Sequence, residues 1–323
     1  MLRYIDELHK EDLKGKYVLL RLDLNVPVVG GKVVNAYRID RAIPTIDFLR
    51  EKEAKIIIIA HIESEENMSL LPVAQYLNGL YTVDFCPTYF NAIAVDKLVK
   101  LEEKGILLFE NIRINPEEKE NDVEFAKKLA QMADIYVDDA FGAMHRNHAS
   151  IVGVPEFLPH YAGLLVKDEI LHLSKVFNPT RPFLFILAGK KFDTKLPLIK
   201  KYLDTADNVF VGGAIANNIF KEKGFNVGTS LFTEGDFGIK EMLENPKLVC
   251  PVDVSAQKPD GSVQFKVVEE IVNDEYIADV GPKTIEKLKK LILNSKTVVW
   301  NGPLGNYEKV FKEKTEELAR IIM

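Results

Sequence analysis

Short runs of aliphatic residues alternate with stretches of helical periodicity almost from end to end of this chain. In the first half the strand-forming runs are Tyr17–Leu22, Ile56–Ala60, Thr82–Phe85, Ile106–Phe109 and Ile135–Val137. Between them lie the amphipathic stretches Ala42–Glu53, Leu71–Leu80 and Asp122–Met132. The second half repeats the plan with Phe183–Leu187, Val209–Val211, Leu248–Cys250 and Thr297–Trp300 as strands, and Leu196–Leu203, Ala214–Lys223 and Thr284–Asn294 as helices. A strand that is apolar at every position is buried on both faces, which requires a parallel sheet with helices on each side. The predicted fold is α/β: two doubly wound parallel-sheet (Rossmann-like) domains joined by a hinge helix.

At 323 residues the chain exceeds what one core usually holds. Residues 162–177, AGLLVKDEILHLSKVF, read as one helix bounded by Pro159 and by Asn178-Pro179. This places an N-terminal domain over 1–160, the hinge helix over 161–178 and a C-terminal domain over 179–323. The formal net charge is −6, which gives no electrostatic footprint for nucleic acid, so any anionic ligand must be caught by local basic clusters. Cys86 and Cys250 are far apart and lack metal-ligand spacing, as expected of free thiols in a reducing compartment. The N-terminus is charged from Arg3 and has no apolar leader, and Ile56–Ala60 is too short to span a bilayer. A cytoplasmic protein without membrane or nucleic-acid partners is expected.

In open α/β sheets, ligands bind beyond the carboxyl ends of the strands. Asp23, Asn25 and Pro27 follow the first strand, Arg38 the next turn, and His61 the second strand. Glu110, Asn111 and Arg113 follow Ile106–Phe109, and the loop Tyr136–Ser150, YVDDAFGAMHRNHAS, brings Arg146 and His148. Each alone is an ordinary surface or capping residue. Together at one sheet edge they form an anion site, with arginine as the planar fork for phosphate or carboxylate.

In the second half, Ala188-Gly189-Lys190-Lys191 runs from a strand into a helix, where a helix N-terminus and two lysines favour an anion. It lacks the Walker A spacing. Gly212-Gly213-Ala214 and Trp300-Asn301-Gly302-Pro303 repeat the strand–glycine arrangement. Three such loops point to a nucleotide. A dinucleotide-binding Rossmann protein fails on the missing glycine fingerprint and its acidic partner.

The segments RLDLNVP (21–27), FENIRINPEE (109–118), YVDDAFGAMHRNHAS, AGLLVKDEI (162–170), PVDV (251–254), DVGPKT (279–284) and WNGPLGNYE (300–308) occur in the order seen in phosphoglycerate kinases, and the chain resembles that family over nearly its whole length. The resemblance implies reversible phosphoryl transfer between 1,3-bisphosphoglycerate with ADP and 3-phosphoglycerate with ATP, in glycolysis and gluconeogenesis. It implies a triose-phosphate site of Asp23, Asn25, Arg38, His61, Arg113 and Arg146, with Arg38 nearest the moving group. It implies a nucleotide site of Gly189, Lys191, Lys195, Gly212, Gly213, Asn301, Pro303 and Glu308, with Arg38 and Lys191 as the catalytic pair. A monomer using Mg²⁺ carried with ADP or ATP follows from the same resemblance. Such chemistry needs no covalent intermediate, only alignment and charge neutralisation, with water kept out as the domains close.

Three stretches depart from the family pattern. Where the family reads HLGRP the chain reads His61-Ile62-Glu63-Ser64-Glu65, so a phosphate-site cation is replaced by Ser64 between acids. A lost charge-assisted contact predicts a ~10- to 100-fold weaker triose site. The helical pattern Glu308–Ile322 precedes the point where the family continues into a strand and a Gly-Gly-Gly-Asp loop, so the implied Mg²⁺ carboxylate falls beyond Met323. Ala188 and Lys190 stand where the family has Gly and Ala. These departures raise a second reading, a catalytically impaired relative or fragment that binds nucleotide or triose phosphate without turnover.

Overall fold

The computed structural model describes residues 2–63, 68–235, 237–307 and 310–323. Ser64 and Glu308, both singled out by the sequence, lie outside the described residues. The chain divides into two compact units, Met1–Ser174 and Lys175–Met323.

The first unit is built on a six-stranded parallel sheet. Its strands are β1 (Tyr17–Leu22), β2 (Lys55–Ala60), β3 (Val83–Cys86), β4 (Ile106–Phe109), β5 (Ile135–Asp139) and β6 (His160–Ala162), in the spatial order β3-β4-β2-β1-β5-β6. Successive side chains point to opposite faces, and the two faces have separate cores. Val18, Leu20 and Leu22 join Ile56, Ile58 and Leu108 on one face. Leu19 joins Ile57, Ile59, Leu107 and Tyr136 on the other. Both cores are filled, which is why these strands read as unbroken aliphatic runs.

Helix α1 (Tyr37–Glu51) begins five residues before the predicted Ala42. Its first turn buries Ile39 on the same face as Ala42 and Ile46, while Tyr37, Arg38 and Asp40 around it are exposed. Helices α2 (Leu71–Leu77), α3 (Ala92–Lys100) and α4 (Val123–Ala130) follow. The predicted connecting helix is shorter at both ends, because Ala162 completes the edge strand β6 and helix α5 spans Leu164–Ser174.

The second unit has a four-stranded parallel sheet of β7 (Phe183–Leu187), β8 (Asn208–Val211), β9 (Leu248–Val249) and β13 (Thr297–Asn301), ordered β9-β8-β7-β13. Helices α6 (Phe192–Thr205), α7 (Ala214–Glu222), α8 (Pro282–Leu293) and α9 (Glu313–Ile322) accompany it. An antiparallel sheet not foreseen from the sequence adds β10 (Val254–Gln257), β11 (Val263–Lys266) and β12 (Tyr276–Val280) in the order β11-β10-β12. The turn between β10 and β11 is closed by Lys258 N–H donating to the Ser262 carbonyl, with Gly261 at φ +85°.

Candidate functional site

In the first unit the carboxyl ends of β1, β2, β4 and β5 meet in a cluster of cations. Arg38 Nη1 donates to Asp23 Oδ2 at 2.6 Å, which aims an otherwise solvent-facing guanidinium. Gly142, in the loop after β5, closes over the same carboxylate; a methyl group there would stand 2.6 Å from Asp23 Oδ2 and push that carboxylate from its place. Asn25 Oδ1 accepts from Glu63 N–H at 2.9 Å, making this side chain a tie between the loops after β1 and β2. Arg113 is almost completely buried and donates from Nη1 to Glu63 Oε1 at 2.7 Å.

The centre of the cluster is a charge the sequence analysis treated only as part of a motif. Arg21 sits within β1 at 0% exposure. A buried guanidinium must be hydrogen-bonded. It donates from Nε to Ser150 Oγ at 2.9 Å, from Nη1 to the Leu22 carbonyl, and from Nη2 toward His61 Nδ1 at 3.2 Å. Ser150 in turn donates from Oγ and from its backbone N–H to the fully buried Glu118 carboxylate, at 2.7 and 2.8 Å. His148 Nδ1 lies 3.7 Å from the same carboxylate. A signal for Arg21 was present, since an arginine inside Leu-Leu-Arg-Leu cannot be buried without partners.

This environment keeps His61 neutral. Burial first, then the charges of Arg21, Arg113 and Arg38, push His61 down to about 2. Since Arg21 can only donate, Nδ1 of His61 is the acceptor and Nε2 carries the proton. Burial, first of all, likewise lowers His148 against the opposing pull of Glu118, with Arg113, Arg21 and Arg146 adding to the lowering. Arg146 is exposed, at the mouth of the cluster. Glu110 and Asn111 serve the scaffold instead. Glu110 accepts from Ser69 Oγ and Leu70 N–H, both at 2.7 Å. Asn111 Nδ2 donates to the Ile62 and Met68 carbonyls, both at 2.8 Å, while its Oδ1 accepts from the Ile62 and Arg113 N–H groups.

In the second unit the strand–glycine loops form one pocket with largely apolar walls, including Gly189, Gly213, Phe220, Leu231, Pro303 and Leu304. Gly213 has φ +61°, and a methyl group on it would come within 2.7 Å of Gly189 N, so the two loops pack backbone to backbone. Gly212 lies behind the wall against the Phe210 ring and Leu304. At the rim, Lys195 Nζ donates to Asn301 Oδ1 at 2.6 Å and to the Ala188 carbonyl at 2.7 Å. Burial lowers the Lys195 ammonium from its ordinary value. Lys191 is exposed and occupies the N-cap position of α6. Among the described residues no group of three or more His, Cys, Asp or Glu side chains is placed to hold a metal.

The phosphoglycerate kinase family model matches residues 6–323. The chain belongs to the phosphoglycerate kinase family. It is 39% identical to the phosphoglycerate kinase of Thermosipho africanus, with 95% of this chain and 81% of the relative aligned. It is 37% identical to that of Dictyoglomus turgidum, over 98% of this chain and 84% of the relative. The solved phosphoglycerate kinase of Coxiella burnetii superposes with a TM-score of 0.82 at 34% identity, covering 100% of this chain and 85% of that one. The Pyrococcus horikoshii enzyme gives 0.84 at 27% identity, covering 100% and 86%. The fold class expected from the sequence is thus that of the family. The family relationship also bears on the two functional readings, and relatives that are kinases by name favour turnover over a binding-only protein.

Proposed function

We propose that this phosphoglycerate kinase family member transfers a phosphoryl group reversibly between 1,3-bisphosphoglycerate with ADP and 3-phosphoglycerate with ATP. In this reading the three-carbon acid is held on the first unit and the nucleotide on the second. The observation that carries it is the Arg21–Arg38–Arg113–Arg146 cluster at one sheet edge, with His61 kept neutral in its midst. Such a cluster suits a small, multiply charged anion and no covalent intermediate.

Arg113 and Arg146 would hold the phosphate that stays on the triose. Asp23 would aim Arg38 at the carboxyl end, where the group moves, and His61 Nε2–H is a neutral donor for an oxygen of the acid. On the second unit, the apolar pocket beside Gly213 suits a purine face, and Pro303 and Leu304 extend it. Lys195, with Asn301, sits at the rim for the nucleotide phosphates, and Lys191 at the α6 N-terminus would neutralise the phosphoryl in flight. Glu308 is assigned to the ribose from the family motif alone. Electrostatic stabilisation of the moving group is the principal catalytic term in such a site. Magnesium is read as arriving with the nucleotide phosphates, in keeping with its habit of binding through few protein ligands.

The free thiols Cys86 and Cys250 support a reducing, cytoplasmic setting, and no described helix is long and apolar enough to cross a membrane. Every residue assigned to either half-site comes from this one chain, in keeping with a working monomer. The test is ATP formation from 1,3-bisphosphoglycerate and ADP in a coupled assay. Sustained turnover supports the reading; binding of both ligands without turnover would return the non-catalytic alternative.

A further inference from the structure

Glu63 follows β2 by three residues, and its carboxylate lies 2.7 Å from Arg113 Nη1 and 3.6 Å from Lys119 Nζ. The two partners differ in setting: the Arg113 side chain is 5% exposed, whereas that of Glu63 is 47% exposed. The cation is therefore fixed in the protein and the acid reaches it from the solvent side. Arg113 Nε is buried and has no hydrogen-bond partner among the described residues. One arm of the guanidinium is filled by a carboxylate from its own chain, and another donor has no acceptor among the described residues. A buried N–H without an acceptor is unfavourable, so the guanidinium is under-satisfied with Glu63 in place, and a tetrahedral anion seated on its Nη1–Nη2 edge would take over the donor that Glu63 occupies.

The backbone of Ile62 and Glu63 is held without the ion pair. Ile62 is already tied through both its N–H and its carbonyl to Asn111, and Glu63 N–H donates to Asn25 Oδ1. What the Glu63 carboxylate adds is an acceptor where a ligand oxygen is required. Burial opposes its ionisation, but the hydrogen bond and charge of Arg113, with Lys119, hold it below the usual carboxylate range, so it is anionic at neutral pH.

We propose that Glu63 is a tethered competitor of the triose phosphate: it occupies Arg113 in the free chain, is displaced when the phosphate binds, and so sets the affinity of the site. This rests on the reading that Arg113 holds that phosphate. The experiment is calorimetric titration of the full chain, its Glu63→Gln variant and its Glu63→Asp variant with 3-phosphoglycerate, and separately with ADP. Glutamine removes the charge, and 3-phosphoglycerate should bind about three- to tenfold tighter with ADP affinity unchanged. Aspartate keeps the charge but is one methylene shorter, so it should also tighten binding, by less.

Unchanged or weaker 3-phosphoglycerate binding by Glu63→Gln overturns the proposal while leaving the Arg113 reading in place. Aspartate behaving as the parent while glutamine binds tighter overturns it too, because general repulsion and not the Arg113 contact would then be at work. Failure of the parent and of Glu63→Gln alike to bind 3-phosphoglycerate, with ADP binding intact, removes the Arg113 reading and the proposal together.

Discussion

Replacing Glu118 by Gln keeps the shape of the side chain and removes the negative charge that faces Arg21 across Ser150. The two hydrogen bonds that relay this interaction, 2.9 and 2.7 Å long, hold Arg21 Nε within about 5.6 Å of Glu118 Oε1. At an effective dielectric of about 20, that separation corresponds to about 3 kcal/mol of attraction. Both residues are fully buried, so solvent does little to replace the lost partner. Glu118→Gln should destabilise the first unit by about 2–4 kcal/mol. Arg21→Met should cost a similar amount, because it strands Glu118. The double variant should be much less destabilised than the sum, since neither charge is then left alone. The assay is urea unfolding followed by far-ultraviolet circular dichroism, because the single tryptophan, Trp300, reports on the second unit. Additivity of the two changes to within about 0.5 kcal/mol would refute the claim that the serine relays a charge pair.

Three further outcomes are expected. Lys191→Ala should lower kcat at least tenfold more than it weakens ADP binding, measured by steady-state kinetics alongside titration; equal effects would remove Lys191 from the transition state. Arg146→Ala should weaken 3-phosphoglycerate binding about tenfold or more and leave ADP binding unchanged, whereas joint loss of both ligands would signal misfolding. Burial pushes Asp279 up to about 7 from its usual 3.8. Its folded form thus binds a proton that the unfolded chain has already released, so stability is fullest below about pH 4 and declines as pH rises through 7. Asp279→Asn should therefore gain roughly 1–3 kcal/mol over the parent at pH 8 and little at pH 4.5, in paired thermal melts; a pH-independent difference would contradict this.

The strands were legible because parallel strands buried on both faces leave an unbroken aliphatic signature, as in Ile56–Ala60. The clustering of Arg38, Arg113 and Arg146 was legible because topology puts strand ends on one edge, whatever their distance in sequence. The start of α1 was not, since Tyr37, Arg38 and Asp40 are exposed and leave Ile39 as the single buried residue of its first turn. The sheet β10–β12 escaped notice although Pro259-Asp260-Gly261 is a recognisable turn; the strands flanking it are short, and β11 is exposed along most of its length. Glu118 was hidden for a different reason. It lies in the charged run Pro-Glu-Glu-Lys-Glu, and nothing local says that only one of those acids points at a buried serine.

The side-chain amide of Asn111 grips the backbone on both sides of the segment bearing Glu63 and also the N–H of Arg113. The fork and the acid that fills it therefore hang from a common peg. A substitution that slackens that peg would shift lock and bolt in concert, so the affinity proposed for Arg113 could drift through a residue whose own amide is spent on backbone.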